Sequence, residues 1–582
     1  MTKIIFTIRF IFFTFLFIAF VMGTSGCVKE TIYGRPTSDG FITTDADVPF
    51  VVNGVNSIYQ EYALYKSSAH AMIQYSSDDF SATGVSSGFS IGLFLTHGES
   101  STDSYIGNSW RSFFRVINNA NSAMDAINNA PGLSEPVRKR AIGELLFLRG
   151  FTYFNLVRLF GGVPIKTQQT LPSSNFYEKR STVDSVYLQI FSDLKMANEN
   201  CIPYKEQLAK YPAEFGLPTK GAAQATLALA YLTYGNYLDL KGKSDDAKGN
   251  YTLANNYADS VILSNQYTLI PNFNDLFDVT KEKQAYDEVI FGVQQTRDAT
   301  TAGAGSKGSE MAFYTQSRYL PGVCGNAPTG VGIGQLYIQP WFFDIYNTAD
   351  YNVNGVRDYR ADFSFNTDFQ GITTAGAAAR YVSYPVITAN ATGLSRQASP
   401  FFNKYKDPNG LQNRNNENDE FITRLAEVYL IKAEALNELG RTAEAYAPFN
   451  MLRIRARNAN GTARTAPLNL APGLSKEDFR MAVFNERGLE LIGEFHRWFD
   501  AVRTRYRNTD VSMLQWRFET FYPSMSSANL TLPVWDATSK TWKGGRVQPV
   551  TVKPWNVRFL SFPVPATEIA SNPGFGDQNP GW

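Results

Sequence analysis

Cysteine and histidine are scarce in this chain: 582 residues hold three of each, Cys27, Cys201 and Cys324, and His70, His97 and His496. Histidines so few and so scattered make no zinc-ligand set, and neither a metal nor a cofactor is expected. Charge of one sign is also lacking. Lys and Arg number 54 against 53 Asp and Glu, a formal net charge of +1, so no broad field recruits nucleic acid or strongly acidic partners. Catalytic signatures are missing too, with no HExxH, no CxxC, no Walker glycine-lysine loop, and no GxGxxG following a strand. The carboxylate pairs Asp78-Asp79 and Asp344 with Asp350 read as turns or caps, since adjacency in sequence does not set the separation that a glycoside hydrolase needs. No enzyme is expected.

Long apolar runs are limited to residues 10–22, interrupted by Thr14, with Lys3 and Arg9 before them and Gly23-Thr24-Ser25-Gly26 after. That is the pattern of a secretory signal over 1–26, and the run is short of the ~20 residues that cross a bilayer. The mature chain is expected to begin at Cys27. With Cys27 set aside, Cys201 and Cys324 are left as a possible disulfide that sequence alone does not establish.

What the sequence has in plenty is aromatic rings, 31 Tyr, 43 Phe and 8 Trp, or 14% of the chain. Helical periodicity organises many of them. A helix is expected over 51–72, followed by a long loop region, 74–108, rich in Ser, Gly, Asp and Thr. Trp110, Phe114, Ile117, Asn121, Met124 and Ile127 then share one face, which makes Trp110 core. Ser134 and Pro136 open the next helix, with Val137, Ala141, Leu145, Leu148, Thr152, Leu156 and Leu159 in phase until Gly161-Gly162. A capping pattern from Ser181 to Asp184 starts another. The alanine-rich 219–237 pairs with 251–265, and 421–440 pairs with 442–457 across Gly440. A helix, a glycine turn and a helix in about 35 residues is a tetratricopeptide-like period. Residues 288–406 break it with short β-like runs and glycine clusters, and 508–582 is again irregular.

The stretch 474–503, LSKEDFRMAVFNERGLELIGEFHRWFDAVR, anchors the C-terminal part. Ser475 and Asp478 have capping-box spacing, and Leu474 with Phe479 that of a hydrophobic staple. Glu486, Glu490, Glu494 and Arg497 form one charged stripe if the helix runs past Gly488 and Gly493. Stacked carboxylates repel, so Arg453, Arg455 and Arg457 are expected opposite them. The set Glu486, Arg487, Glu490, Glu494, Arg497, Asp500 and Arg503 is read as a structural ion-pair network, with Trp498 inside it as core.

This order of charged residues resembles the C-terminal hallmark of the SusD/RagB family of outer-membrane nutrient-binding lipoproteins. Further segments carry the same resemblance: INNAN with GELLFLRGFTYFNLVRLFGGVPI, then QYTLIPNFNDLF, and finally NPGFGDQNPGW. GTSGC looks like a lipobox with Thr24 where leucine is usual, and CVKE like the short signal that follows the lipidated cysteine in surface-exposed members. The resemblance implies a mostly α fold, a tetratricopeptide-like helical-repeat scaffold (α-α superhelix) with an inserted loop-rich ligand-binding part. The parts are signal peptide 1–26, an N-terminal part 27–287, an insertion 288–406 and a C-terminal part 407–582. It further implies lipidation at Cys27, an outer-membrane location facing the exterior, and capture of a nutrient for a SusC-like TonB-dependent transporter.

An oligosaccharide is the expected ligand, because sugar rings offer apolar faces to aromatic side chains and hydroxyls to polar ones. Peptide capture, a lipid-anchored scaffold and, last, a glycosidase are the alternatives. Phe94, His97 and Tyr105 in the first loop region, and Tyr314, Arg318, Tyr319, Tyr337 and Trp341 in the second, are the candidate contacts. Trp341, beside Phe342 and Phe343, is open to a reading as core.

Overall fold

The computed structural model describes residues 42–82, 94, 97–171, 173–174, 177–296, 308–315, 336–371, 380–383, 400–407, 416–524, 534–536, 541–543 and 554–582. The expected signal, Cys27, Cys324, Arg318 and Tyr319 fall outside them.

The single helix expected over 51–72 is broken in two, α1 (Val48–Asn56) and α2 (Ser68–Tyr75), with a 3-10 turn at Ser57–Gln60 between them. Tertiary hydrogen bonds override the local period here. The Tyr59 hydroxyl lies 2.6 Å from Thr152 Oγ1, and Tyr65 accepts from Asn155 Nδ2 at 3.1 Å. Both partners sit on one long helix, so the intervening chain must turn each tyrosine inward.

Helix α3 (Ser104–Asn129) starts ahead of Trp110, because the Asp103 carboxylate accepts the Tyr105 N–H at 2.8 Å and caps it. After it, α4 (Glu135–Phe160) opens on Ser134 with Pro136 in its first turn and ends at Gly161, whose φ of 71° favours a residue without Cβ. The next cap is Thr182, one residue on from the expected Ser181. It accepts the Ser185 N–H at 3.2 Å and begins α5 (Val183–Asn200). Helices α6 (Lys220–Leu240) and α7 (Ser244–Ile262) follow. A Cβ on Gly235 of α6 would come within 2.7 Å of the Tyr251 ring on α7, so the missing side chain sets how closely this pair packs.

Strands β1 (Val289–Val293) and β2 (Glu420–Arg424) pair antiparallel, buried along their length, and lead into α8 (Leu425–Glu438) and α9 (Thr442–Ala456). Each helix from α3 to α9 packs on its successor, including α7 on α8 across the irregular stretch between them. The result is one continuous helical stack, mostly α as expected, with the short strands and turns of 336–371, 380–383 and 400–407 beside it.

Helix α10 (Lys476–Glu490) is capped by Ser475 Oγ, which accepts the Asp478 N–H at 3.0 Å. Phe479 packs on Tyr446 and Phe449, while Leu474 stays exposed. The charged stripe is not one helix. The chain turns after Glu490, with Gly493 at φ 77° and Phe495 at φ 64°, before α11 (Arg497–Arg503). Gly493 is required twice, by its φ and because a Cβ there would lie 2.3 Å from the Phe402 ring.

The turn folds Glu494 back beside Glu490, where buried cations surround both. Arg424 reaches Glu490 at 2.6 Å, Glu494 at 2.7 Å and Glu288 at 2.9 Å. Arg360 reaches Glu486 at 2.7 Å, Glu490 at 2.9 Å and Asp358 at 2.7 Å. Arg453 pairs with Glu486, Arg455 with Glu490 and Glu288, and Lys404 with Glu494. Asp358, Glu288, Glu486, Glu490 and Glu494 thus balance Arg360, Lys404, Arg424, Arg453 and Arg455. Two expectations are corrected. Arg457 turns away to the Pro467 carbonyl and Asn469, and Arg497 leaves the stripe for Asp78 at 2.6 Å. Arg487 and Arg503 meet on Asp500, at 2.8 Å each, in a neighbouring set with Glu427 and Glu434.

Burial alone would raise the Glu490 pKa, but Arg455, Arg424 and Arg360 more than reverse this and hold it below the carboxylate range. Removing it would take a partner from three buried cations and leave the set one negative charge short. Glu490→Ala is expected to destabilise the fold by about 3 to 5 kcal/mol in urea unfolding, whereas Glu444→Ala, which breaks an exposed pair with Arg441, leaves the midpoint in place. A midpoint equally unmoved in both variants would contradict the network's role. Acid should act the same way. Asp500 is raised by burial but brought down to about 2 by Arg487 and Arg503; because its folded pKa is depressed, its stabilisation is complete above the ordinary 3.8 and lost as pH falls through about 2. Melting curves recorded towards acid pH are expected to show that decline, and Asp500→Asn to flatten it.

Candidate functional site

The two loop regions singled out in the sequence are physically joined. Residues Phe80–Ala82 pair antiparallel with Leu336–Ile338, so Ser81 stands opposite Tyr337. The Gln339 N–H donates to the Asp79 carbonyl at 2.8 Å and extends the seam.

Not every candidate side chain reaches the surface of this seam. Phe94, His97 and Tyr314 are buried, at 0%, 6% and 2% exposure, and rings without an open face pack rather than stack on a ligand. Phe94 lies against Tyr105 and Phe562, and the His97 ring sits 4.6 Å from Phe559. Tyr105 is half-buried, its hydroxyl 3.0 Å from that of Tyr62, which is exposed. Trp341 is half-buried as well, 5.3 Å from the Phe521 ring.

What gathers these rings is a segment that periodicity did not single out. The short helix Met513–Trp516 continues through a π turn, Arg517–Phe521, carrying Trp516, Phe518, Phe521 and Tyr522 around one cation. The Arg517 guanidinium lies 4.4 Å from the Trp341 ring, 4.3 Å from Phe521 and 5.3 Å from Trp516. Ring contacts then pass from Phe521 to Tyr522, Phe518 and His97. Trp516 is held flat on Tyr506, 4.2 Å apart and 10° from parallel. An aromatic surface, half-exposed at Trp341, Trp516, Phe521 and Tyr522, therefore spans both loop regions. The signal was in the sequence as WRFETFY, four aromatics around one arginine.

Asp78 fixes this arrangement. Its carboxylate takes Arg497 at 2.6 Å and Arg517 at 3.0 Å. Burial works to raise Asp78, but Arg497 and Arg517 bring it below its ordinary value; burial and the Asp78 charge raise the adjacent Asp79 to about 7. Two carboxyls with opposite shifts can suggest an acid and a base. Here both are at most 3% exposed, Asp78 is committed to two arginines, and Asp79 accepts from Ser77, so neither faces a place for substrate. Asp344 bonds Asn347, and Asp350 lies 3.8 Å from Arg453. Among the described residues no group of His, Cys, Asp or Glu is arranged to hold a metal ion. Cys201 is buried with a free thiol.

Two cavities open elsewhere. One, of about 510 Å³, follows α3 past Arg111, Phe114, Asn118 and Asn572. The other, of about 310 Å³, lies between α4, α6 and α11. Neither is lined by a candidate ligand residue.

Comparison with known proteins agrees with this architecture. The sequence model described as the SusD family matches residues 287–582, and one described as starch-binding associating with outer membrane matches 37–232. SusD-like protein P2 of Formosa agariphila is 27% identical over 500 residues, covering 84% of this chain and 90% of its own. A SusD homologue from Bacteroides thetaiotaomicron superposes with a TM-score of 0.76 at 20% identity, over 94% of this chain and 99% of that one. A laminarin-binding SusD-like protein superposes with a TM-score of 0.64 at 22% identity, over 93% and 100%. With half its length matched by that family's own model and its helical stack shared almost end to end, this chain belongs to the SusD family.

Proposed function

We propose that the protein is a surface lipoprotein that binds an oligosaccharide on the aromatic surface around Arg517 and passes it, unaltered, to a SusC-like TonB-dependent transporter. The observation that carries this reading is the set of half-exposed rings, Trp341, Trp516 and Phe521, packed around one buried arginine with Tyr522 against Phe521. Flat apolar faces desolvate sugar rings at little entropic cost, and pre-set rings lose little freedom on binding. A formal charge of +1 suits a neutral ligand. The family's starch-binding description and the laminarin-binding neighbour support a glycan, and the same description supports association with the outer membrane. Tyr105 and the exposed Tyr62 beside it are further candidate contacts, and Arg318 and Tyr319 are proposed as contacts from the second loop region.

Titration calorimetry with starch and laminarin oligosaccharides tests the site. Trp341→Ala and Trp516→Ala are each expected to weaken binding roughly five- to thirty-fold, the loss of one stacked ring, with little dependence on salt. If both variants bind as the parent does while their melting temperature falls, these rings are core and the site lies elsewhere. Binding of peptides and no glycan would favour the alternative ligand.

Anchoring and passivity have separate tests. Cys27→Ala should release the mature protein from the outer-membrane fraction; retention there with residues 1–26 still attached would mean an uncleaved anchor. Glycan incubated at length with the pure protein should be recovered intact by mass. Shortened products would reject a binding-only role.

A further inference from the structure

Among the described residues, the buried arginines have carboxylate partners. Arg140, Arg149, Arg360, Arg424, Arg480 and Arg487 each lie within 3.5 Å of an Asp or Glu oxygen. Arg158, on α4, is half-buried and has no carboxylate in direct contact. Its guanidinium is sandwiched between the Phe154 and Phe499 rings, 3.9 Å from each centroid. It donates to the Phe154 carbonyl at 3.2 Å and to Asn155 Oδ1 at 2.6 Å, and no carboxylate among the described residues pairs with it. Burial pushes it down to about 10, outweighing the more distant charges of Glu427 and Asp500.

Arg158 lines the cavity of about 310 Å³ between α4, α6 and α11. The walls are apolar: Val157, Leu240, Phe499, Val502 and Leu560. Two tyrosines, Tyr187 and Tyr237, add hydroxyls for which no hydrogen bond is recorded among the described residues. At the mouth Lys241 is exposed, its Nζ 5.7 Å from the Tyr237 ring, and no carboxylate among the described residues pairs with it. Arg503 is already neutralised by Glu434 and Asp500, and the lining carboxylate, Asp510, is exposed to solvent. The cavity therefore offers a planar cation with no carboxylate in direct contact at its wall, a second cation at its rim, and an apolar interior of a size that suits a small ligand.

We propose that this cavity is a second ligand site, for a small amphipathic organic anion whose carboxylate pairs with Arg158 and whose aryl or alkyl body fills the space between Leu240, Phe499 and Val502. Guanidinium recognises carboxylate by parallel charge-assisted hydrogen bonds, and the aromatic sandwich already fixes its plane. The site shares no residue with the aromatic surface around Arg517, so it stands whether or not that surface binds glycan.

The test is calorimetry on the full mature chain with 3-phenylpropanoate and octanoate, and with their neutral amides as controls. The carboxylates are expected to bind saturably, with affinity falling as salt rises, and the amides roughly tenfold or more weaker. Arg158→Gln should weaken carboxylate binding by roughly ten- to a hundred-fold. Leu240→Trp, which fills the cavity without touching the arginine, should abolish binding with folding intact by circular dichroism, and covers the case in which Arg158→Gln does not fold. The proposal is overturned if neither carboxylate binds more tightly than ~1 mM, if amides bind as well as acids, or if folded Leu240→Trp binds like the parent.

Discussion

Glu490 is the residue on which the rest of the structure turns. Its two oxygens meet Arg360, Arg424 and Arg455, and those three arginines come from different parts of the chain: the irregular stretch, the end of β2 and helix α9. An ion pair taken out of water recovers little net stability, since desolvation offsets most of the attraction. What it does impose is geometry. A fully buried guanidinium must find its carboxylates within hydrogen-bond reach or leave a bare charge, so few other arrangements of these segments are accessible. We read the network as the device that registers the irregular stretch against the helical stack.

The aromatic surface depends on the same constraint at one remove. The turn after Glu490 brings Glu494 back into the network and swings Arg497 out to Asp78, and Asp78 in turn holds Arg517 beneath the rings. A straight helix through Gly493 would keep Arg497 on the carboxylate face and leave Asp78 with one arginine fewer. Scaffold and candidate site are thus linked by a chain of charges, while the stacking that would recognise a sugar is itself uncharged. Loops that differ in sequence could change the ligand without disturbing the frame.

Much was legible in the residues themselves. Pro136, Gly161, Ser475 and Gly440 bound their helices as cap and turn chemistry requires, whereas Ser134 stands at the N-cap of α4 but turns its hydroxyl to Asp45, and the apolar period of α3 and α4 correctly made Trp110 core. The charged hallmark was legible as structural, and Arg453 and Arg455 were legible as its cations. Arg360, Lys404 and Arg424 were not, because nothing local distinguishes a basic residue that will be buried from any surface charge. Phe94 and Tyr314 looked like ligand contacts because loop aromatics commonly are, yet both are buried.

By itself, then, the sequence determined the long helices of the stack, where most of them stop, and the family, since caps, glycine turns and the 3.6-residue period act within a few residues of each other. Only the tertiary structure decided where the helix of 51–72 breaks, where the stripe turns, and which rings share Arg517. Those outcomes hang on partners far apart in the chain, Tyr59 with Thr152, Gly493 with Phe402 and Asp78 with Arg497 and Arg517. No local pattern encodes such pairs, because a contact between distant segments is settled by packing and charge balance over the whole core.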